Sequence, residues 1–243
     1  MGGLVGLLPA IVFSGLVAAE LGFARRAPAG PTGTRWIGNM GLFIANGALV
    51  LWLAPAASEA MPEMLPWGWL EAIGGLLFLD LLSYAAHRLF HAVPPLWRLH
   101  SVHHTDVDID VTTAVRHHPL EFAAIFAATA LLAGAVGISA ATVALYGSIA
   151  LAAQMLQHAN VRLPGRVERM VGGLLVTPAF HRTHHSLAPE EHEMNFGTVL
   201  SLWDRLLGTA RRVGTGEPAG FGVAELSAPR YQRLHWMLVT PLC

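Results

Sequence analysis

The chain has 243 residues, short enough for one structural unit, and is 53% hydrophobic against 13% charged. A soluble domain carries about a quarter charged residues, so this composition points to a membrane protein. A net charge of −1 without a basic run argues against a nucleic-acid partner. The single cysteine, Cys243, rules out an internal disulfide or a CxxC site, so any metal must be held by histidines and carboxylates.

Apolar stretches of about 20 residues are long enough to cross a bilayer as helices. The first is Gly3–Phe23, with one acid, Glu20, near its end. It lacks the basic start of a secretory signal, and RRAPAGPTGTR follows it instead of a cleavage site, so it reads as a retained helix. Ile37–Leu53 and Leu70–Ala86 are the second and third. Glu121–Val136 and Ser139–Leu156, joined by little more than Gly137, read as a hairpin that returns to the same side. The expected fold is all-α: a polytopic membrane bundle of about four transmembrane helices, two long spans plus the hairpin, with a cytoplasmic histidine-rich helical cap.

Arginines set the expected orientation. Arg25, Arg26 and Arg35 follow the first stretch; Arg88 and Arg98 follow the third; Arg162, Arg166 and Arg169 follow the hairpin. The loop after the second stretch has no basic residue and two acids. All the basic segments then share one face, expected to be cytoplasmic, with the amino terminus outside. The chain divides into residues 1–66, the N-terminal transmembrane part; 67–210, the histidine-bearing part; and a tail, 211–243, within one unit. The tail is rich in Gly, Pro and Arg and reads as loosely ordered, except for a short surface helix within RYQRLHWMLVTP.

None of the 13 histidines lies in the first two stretches, and they gather at and beyond the end of the third. They read His87-x-x-x-His91, His100-x-x-His103-His104, His117-His118-Pro119, a single His158, and His181-x-x-His184-His185. On a helix, positions i and i+3 or i+4 share a face. HxxxH therefore aims two rings at one point, while HxxHH aims two and rotates a third by roughly 100° toward another. Such clusters facing one another could surround two metal ions. Imidazole suits Fe, Zn, Cu and Ni, not Mg or Ca. No cluster has the Glu of HExxH, which removes the zinc-protease base, and no Glu-x-x-His pair marks a carboxylate-type di-iron bundle. His192 and His235, each alone, read as surface or satisfied core residues. A ligating histidine commonly donates its second N–H to a carboxylate or carbonyl. Asp80, two turns before His87, is one candidate partner, and Glu121 and Asn160 are others. Glu121 also suits the first turn after Pro119, where an acid favours the helix dipole.

HRLFH, HSVHH, RHHPLE, QHANVRLP, HRTHHS and NFGTVLSLWDRLLGT together resemble the fatty acid hydroxylase superfamily, within it the sterol desaturase branch. The resemblance runs from about Asp80 to Thr209. It implies a membrane-embedded non-haem di-iron oxygenase, an oxidoreductase that uses two Fe ions, O2 and a separate electron donor to hydroxylate or desaturate a lipid. The donor would be a reductase with a ferredoxin or b-type cytochrome. His87, His91, His100, His103, His104, His181, His184 and His185 match the family's metal-binding boxes. His118 and His158 match further family histidines expected to complete the centre, while His117 falls where the family varies. Asn195, in the NFG box, joins the expected supporting residues. Glu193 stands where many members have Asp. Trp203, Asp204 and Arg205 match the last box, read as packing the cap against the histidines. Three other readings stand beside this one. A metal transporter would carry its ligands along a path through the membrane. A b-type cytochrome needs one histidine on each of two facing helices. The third is an inactive scaffold.

Overall fold

The computed structural model describes residues 2–62, 68–211 and 218–242, with side chains from residue 6 onward; Cys243 lies outside them. Five helices are long and apolar enough to cross a membrane: α1 (Gly2–Phe23), α2 (Thr32–Glu59), α3 (Gly68–Ala92), α5 (Pro119–Val136) and α6 (Ala140–His158). Between and after them come α4 (Pro94–His104), α7 (Gly165–Val171), α8 (Pro178–His184), α9 (Pro189–His192), α10 (Leu202–Leu206) and α11 (Leu234–Val239). Among the described residues the only β pairing is two isolated bridges, Leu175 with Leu200 and Ser186 with Phe221.

The expected hairpin is present, and its stops are local chemistry. Pro119 opens α5 at a position where its missing N–H costs nothing. Gly137, at φ 82°, ends it in the left-handed conformation that glycine adopts freely. Ser139 then caps α6 by accepting from the Thr142 N–H. α1 packs on α6, α2 on α5, and α3 on both α4 and α6. Leu79, Ala133, Ile138, Tyr146 and Ala150 form one buried cluster between these helices. The opposite faces are apolar and bare: Leu21, Leu51 and Trp52 are 81%, 81% and 76% exposed, a surface suited to lipid.

One end of the bundle collects the histidines and the buried arginines. The end of α1 reaches the end of α6, where the Arg25 N–H donates to the Asn160 carbonyl (2.7 Å). The start of α2 is clamped to the loop between α4 and α5. Arg35 donates to Asp106 and Asp110, each at 2.7 Å, and to the Asp108 carbonyl. Arg35, counted above as a loop charge, is thus 1% exposed and neutralised inside the fold. Arg116 in the same loop donates to Asn39, Thr105 and Gln232 and to the Val102 and Tyr231 carbonyls.

The described part of the tail, residues 218–242, departs from its expected looseness. Met237 on α11 is fully buried, and its side chain occupies the space that a Cβ at Gly38 would need, 2.7 Å away. Phe221 lies beneath the Arg182 guanidinium at 4.8 Å. Leu42, Val102 and Met237 form a buried cluster of their own, so the tail docks on α2 and α4.

Candidate metal centre

The histidines converge at the polar end in two groups. His87 and His91 from α3, His100 and His104 from α4, and His184 from α8 bring five ligand atoms within 4.8 Å of one another. His103 from α4, His158 from the end of α6, and His181 and His185 at α8 form a second group of four. Each HxxHH box therefore splits as the helical period dictates. His100 and His104 aim at the first point and His103 at the second; His181 and His185 aim at the second and His184 at the first. The groups adjoin, with the His104 and His185 rings stacked 4.4 Å apart. Local sequence sets up α8 for this: Pro178 occupies its first turn and Thr177 caps it through the Phe180 N–H.

Hydrogen bonding fixes which nitrogen faces inward. Carbonyl oxygens can only accept, so each nitrogen beside one must carry its proton. His87 Nδ1–H donates to the Phe196 carbonyl (2.8 Å), His158 Nδ1–H to Gln154 (2.7 Å) and His184 Nδ1–H to Met194 (2.7 Å). His100 Nδ1–H donates to the Glu121 carboxylate at 2.7 Å. Each inward Nε2 is then a bare lone pair. His158 Nε2 stands 3.2, 3.1 and 3.1 Å from the Nε2 atoms of His103, His185 and His181. One lone pair cannot serve three hydrogen bonds, whereas imidazoles bound to one cation at about 2 Å lie roughly 3 Å apart. The Nε2 atoms of His87 and His184 are buried with no partner at all. Burial holds His103, His104, His181, His184 and His185 well below the ordinary imidazole value, and neighbouring histidines add to the effect. They are neutral, as metal ligands must be. The residues fit a pair of first-row transition metals.

His118 does not join them. It caps α5, its Nδ1 accepting from the Leu120 N–H (3.1 Å) and its Nε2–H donating to the Leu238 carbonyl (3.2 Å). No lone pair remains for a metal. His117 takes the inward position instead, stacked 4.6 Å from His103 and donating to Glu121 Oε1 at 3.1 Å. Glu121 competes with burial and raises the His117 value above the ordinary one.

The expected supporting residues divide. Glu121, 1% exposed, accepts hydrogen bonds from both His100 and His117. Asp80 touches no histidine; it accepts from Tyr146, Trp203 and the Val199 and Leu200 N–H groups, which pins the segment after the NFG box. Asn195, at φ 62°, donates to the Phe180 carbonyl and sits between the two carbonyls that orient His184 and His87. Asp204 closes the same loop through the Phe196 and Gly197 N–H groups, each at 2.8 Å. Asn160 is a correction: it ties α6 to Arg26 and Glu20, away from the rings. His192 is another. Its ring lies 4.6 Å from His104 and 5.0 Å from His91, so it belongs to the rim of the first group. His235 is exposed, as expected.

A cavity of about 560 Å³ opens from both groups into the bundle. His87, His100, His103, His158 and His181 floor it, and Phe43, Val50, Phe122, Phe126, Gly147 and Leu151 are among its walls.

An all-helical membrane bundle with nine inward histidines in two groups defines a class of metal-dependent membrane protein. The chain belongs to the fatty acid hydroxylase family, whose model matches residues 72–209. Among curated proteins it is similar to the alkylglycerol monooxygenase of Caenorhabditis elegans, 27% identical over 67% of this chain and 31% of that protein. An ornithine lipid hydroxylase of Rhizobium tropici is 29% identical over 63% of this chain and 45% of its own length. The human alkylglycerol monooxygenase is 30% identical over 61% and 32%. The chain therefore spans less than half the length of these relatives. No solved structure matches it.

Proposed function

We propose that the protein is a membrane-bound non-haem di-iron oxygenase that uses O2 and electrons from a separate donor to hydroxylate a lipid chain. The observation that carries this reading is the sorting of nine histidines into groups of five and four at the floor of an apolar cavity. Iron, when bound, supplies the O2 chemistry needed to attack an unactivated C–H bond. The protein's own part is placement. Residues 67–210 hold the metal, and the aromatic and small residues of α2, α5 and α6 exclude water and align an apolar chain over it. Glu121 and the Phe196 and Met194 carbonyls keep the rings oriented. Hydroxylation is favoured over desaturation because the relatives are named monooxygenase and hydroxylase; an ether lipid or an amino-acid-bearing acyl lipid is the corresponding substrate class. The arginines after α3 and α6 support a cytoplasmic side for this end, the side from which a ferredoxin or b-type cytochrome would reach the centre.

The test is metal analysis of protein from iron-57-grown cells, with Mössbauer spectra, followed by an O2- and reductase-dependent screen of ether and ornithine lipids. Two coupled irons per chain and a product one oxygen heavier are expected. Haem, or no metal from iron-replete cells, would overturn the reading.

A further inference from the structure

Outside the two buried groups, a third set of ligand atoms leans against the first. His91, His192 and Glu193 each bring a nitrogen or carboxylate oxygen within 4.8 Å of one another. Three ligands spread around a first-row cation, each bound at about 2.1 Å, stand about 3.5 Å apart, so a movement of about an ångström closes this set. The set is graded in depth. The His91 side chain is 1% exposed, His192 is half-buried, and the Glu193 side chain is 58% exposed.

His91 is shared between this set and the five-histidine group. Both of its ring nitrogens are buried without a hydrogen-bond partner. A neutral imidazole has one N–H and one lone pair, and leaving both unmet in the interior is costly. Nδ1 lies 3.6 Å from Glu193 Oε1, too far for a hydrogen bond but on the side where a cation would sit between them. His192 stands over the same mouth, 4.6 Å from His104, stacked 6.0 Å from His184 and edge-on to Trp97 at 4.8 Å. None of the interactions that orient the two buried groups uses His192 or Glu193. Glu190 and Glu191 on the same turn add negative charge at this mouth, and Arg211 offsets part of it, 4.0 Å from Glu191.

We propose that His91, His192 and Glu193 form a third, exchangeable site for a first-row divalent cation, which takes the ion from water and passes it through His91 to the five-histidine group. This rests on reading the buried groups as a metal centre. A set of two imidazoles and one exposed carboxylate, open to water, holds its ion less firmly than five buried imidazoles. Transfer is ligand exchange only: the ion keeps its charge, sheds water, Glu193 and His192, and gains the inward histidines. No electron moves.

The test uses the full chain in detergent, stripped by chelator and titrated with Co2+ under visible absorption and equilibrium dialysis. The wild type should bind two tight equivalents and a third, weaker one. His192→Ala and, separately, the near-isosteric Glu193→Gln should lose the third equivalent. Both should still reach two tight equivalents, but fill them at least about tenfold more slowly, the scale on which one supporting ligand acts. Thermal midpoints of the loaded variants check the fold. A wild type that binds two equivalents and no third, or variants that fill at the wild-type rate, would refute the loading site alone. Loss of a tight equivalent in His192→Ala would also refute it, by making His192 a ligand of the centre. A wild type with no tight pair would refute the centre itself.

Discussion

Glu121→Gln offers a sharp test of the site because the damage should fall on one metal position. A single carboxylate oxygen, Oε1, takes the Nδ1–H of His100 at 2.7 Å and that of His117 at 3.1 Å. Glutamine keeps the shape but replaces a charged acceptor with a neutral one, and charge-assisted bonds are roughly twice as strong as neutral ones. It also places an amide N–H₂ where Oε2 is now buried without a partner. Losing such an outer partner costs about 10- to 100-fold in metal affinity, or about 1.4–2.7 kcal/mol. His100 belongs to the five-histidine group, whereas His158 in the other group is oriented by a backbone carbonyl that the substitution leaves alone. A chelator competition should therefore release one ion per chain early and the second at the wild-type concentration. Equal weakening of both ions, or of neither, would refute the assignment of Glu121 as the anchor of His100.

His103→Ala should halve bound metal per chain, whereas His118→Ala should leave it intact and cost about 1 kcal/mol for the lost cap, read as a lower thermal midpoint. His235→Ala, at an exposed position, should change neither metal content nor midpoint. Asp80→Ala removes the acceptor for four donors in a buried site, so stability should fall by at least about 3 kcal/mol, with metal lost only as the protein unfolds. Acid should destabilise the metal-free protein. The buried histidines of α4 and α8 have folded values below the unfolded 6.5, so below that pH the unfolded chain binds more protons and stability falls. His192, lowered to about 4 by burial, adds to this loss between about pH 6.5 and 4. A chelator-stripped sample whose midpoint does not drop as pH falls through 6.5 would contradict the neutral-ligand picture.

Much of the frame was legible because it rests on local rules. Apolar length marked the five long helices, and Gly137 with Ser139 marked the hairpin turn. The helical period alone separates His100 and His104 from His103. Which box shares a point with which was not legible, since that follows from how α4 and α8 cross α3 and α6. The tail was misread because its composition suggested disorder, while its anchors are single residues, Phe221, Gln232 and Met237, with no period of their own.

The choice between His117 and His118 shows how far local reasoning reaches. A residue just before a proline that opens a helix has extended backbone, here φ −64° and ψ 137°, and stands where its side chain can accept from the first free N–H groups. That places His118 at the cap and spends its lone pair on Leu120. His117 and Glu121 are four apart, a spacing at which side chains meet across a turn. Both signals were present in HHPLE, and they outweigh the resemblance that favoured His118. His192 carried no such signal: it lies seven residues beyond His185, in a turn too short to have a face. Only the approach of α9 to α3 and α4 brings it to the centre. A histidine's role follows from the partner already held by its other nitrogen, which spacing reveals when that partner is local and conceals when it is distant.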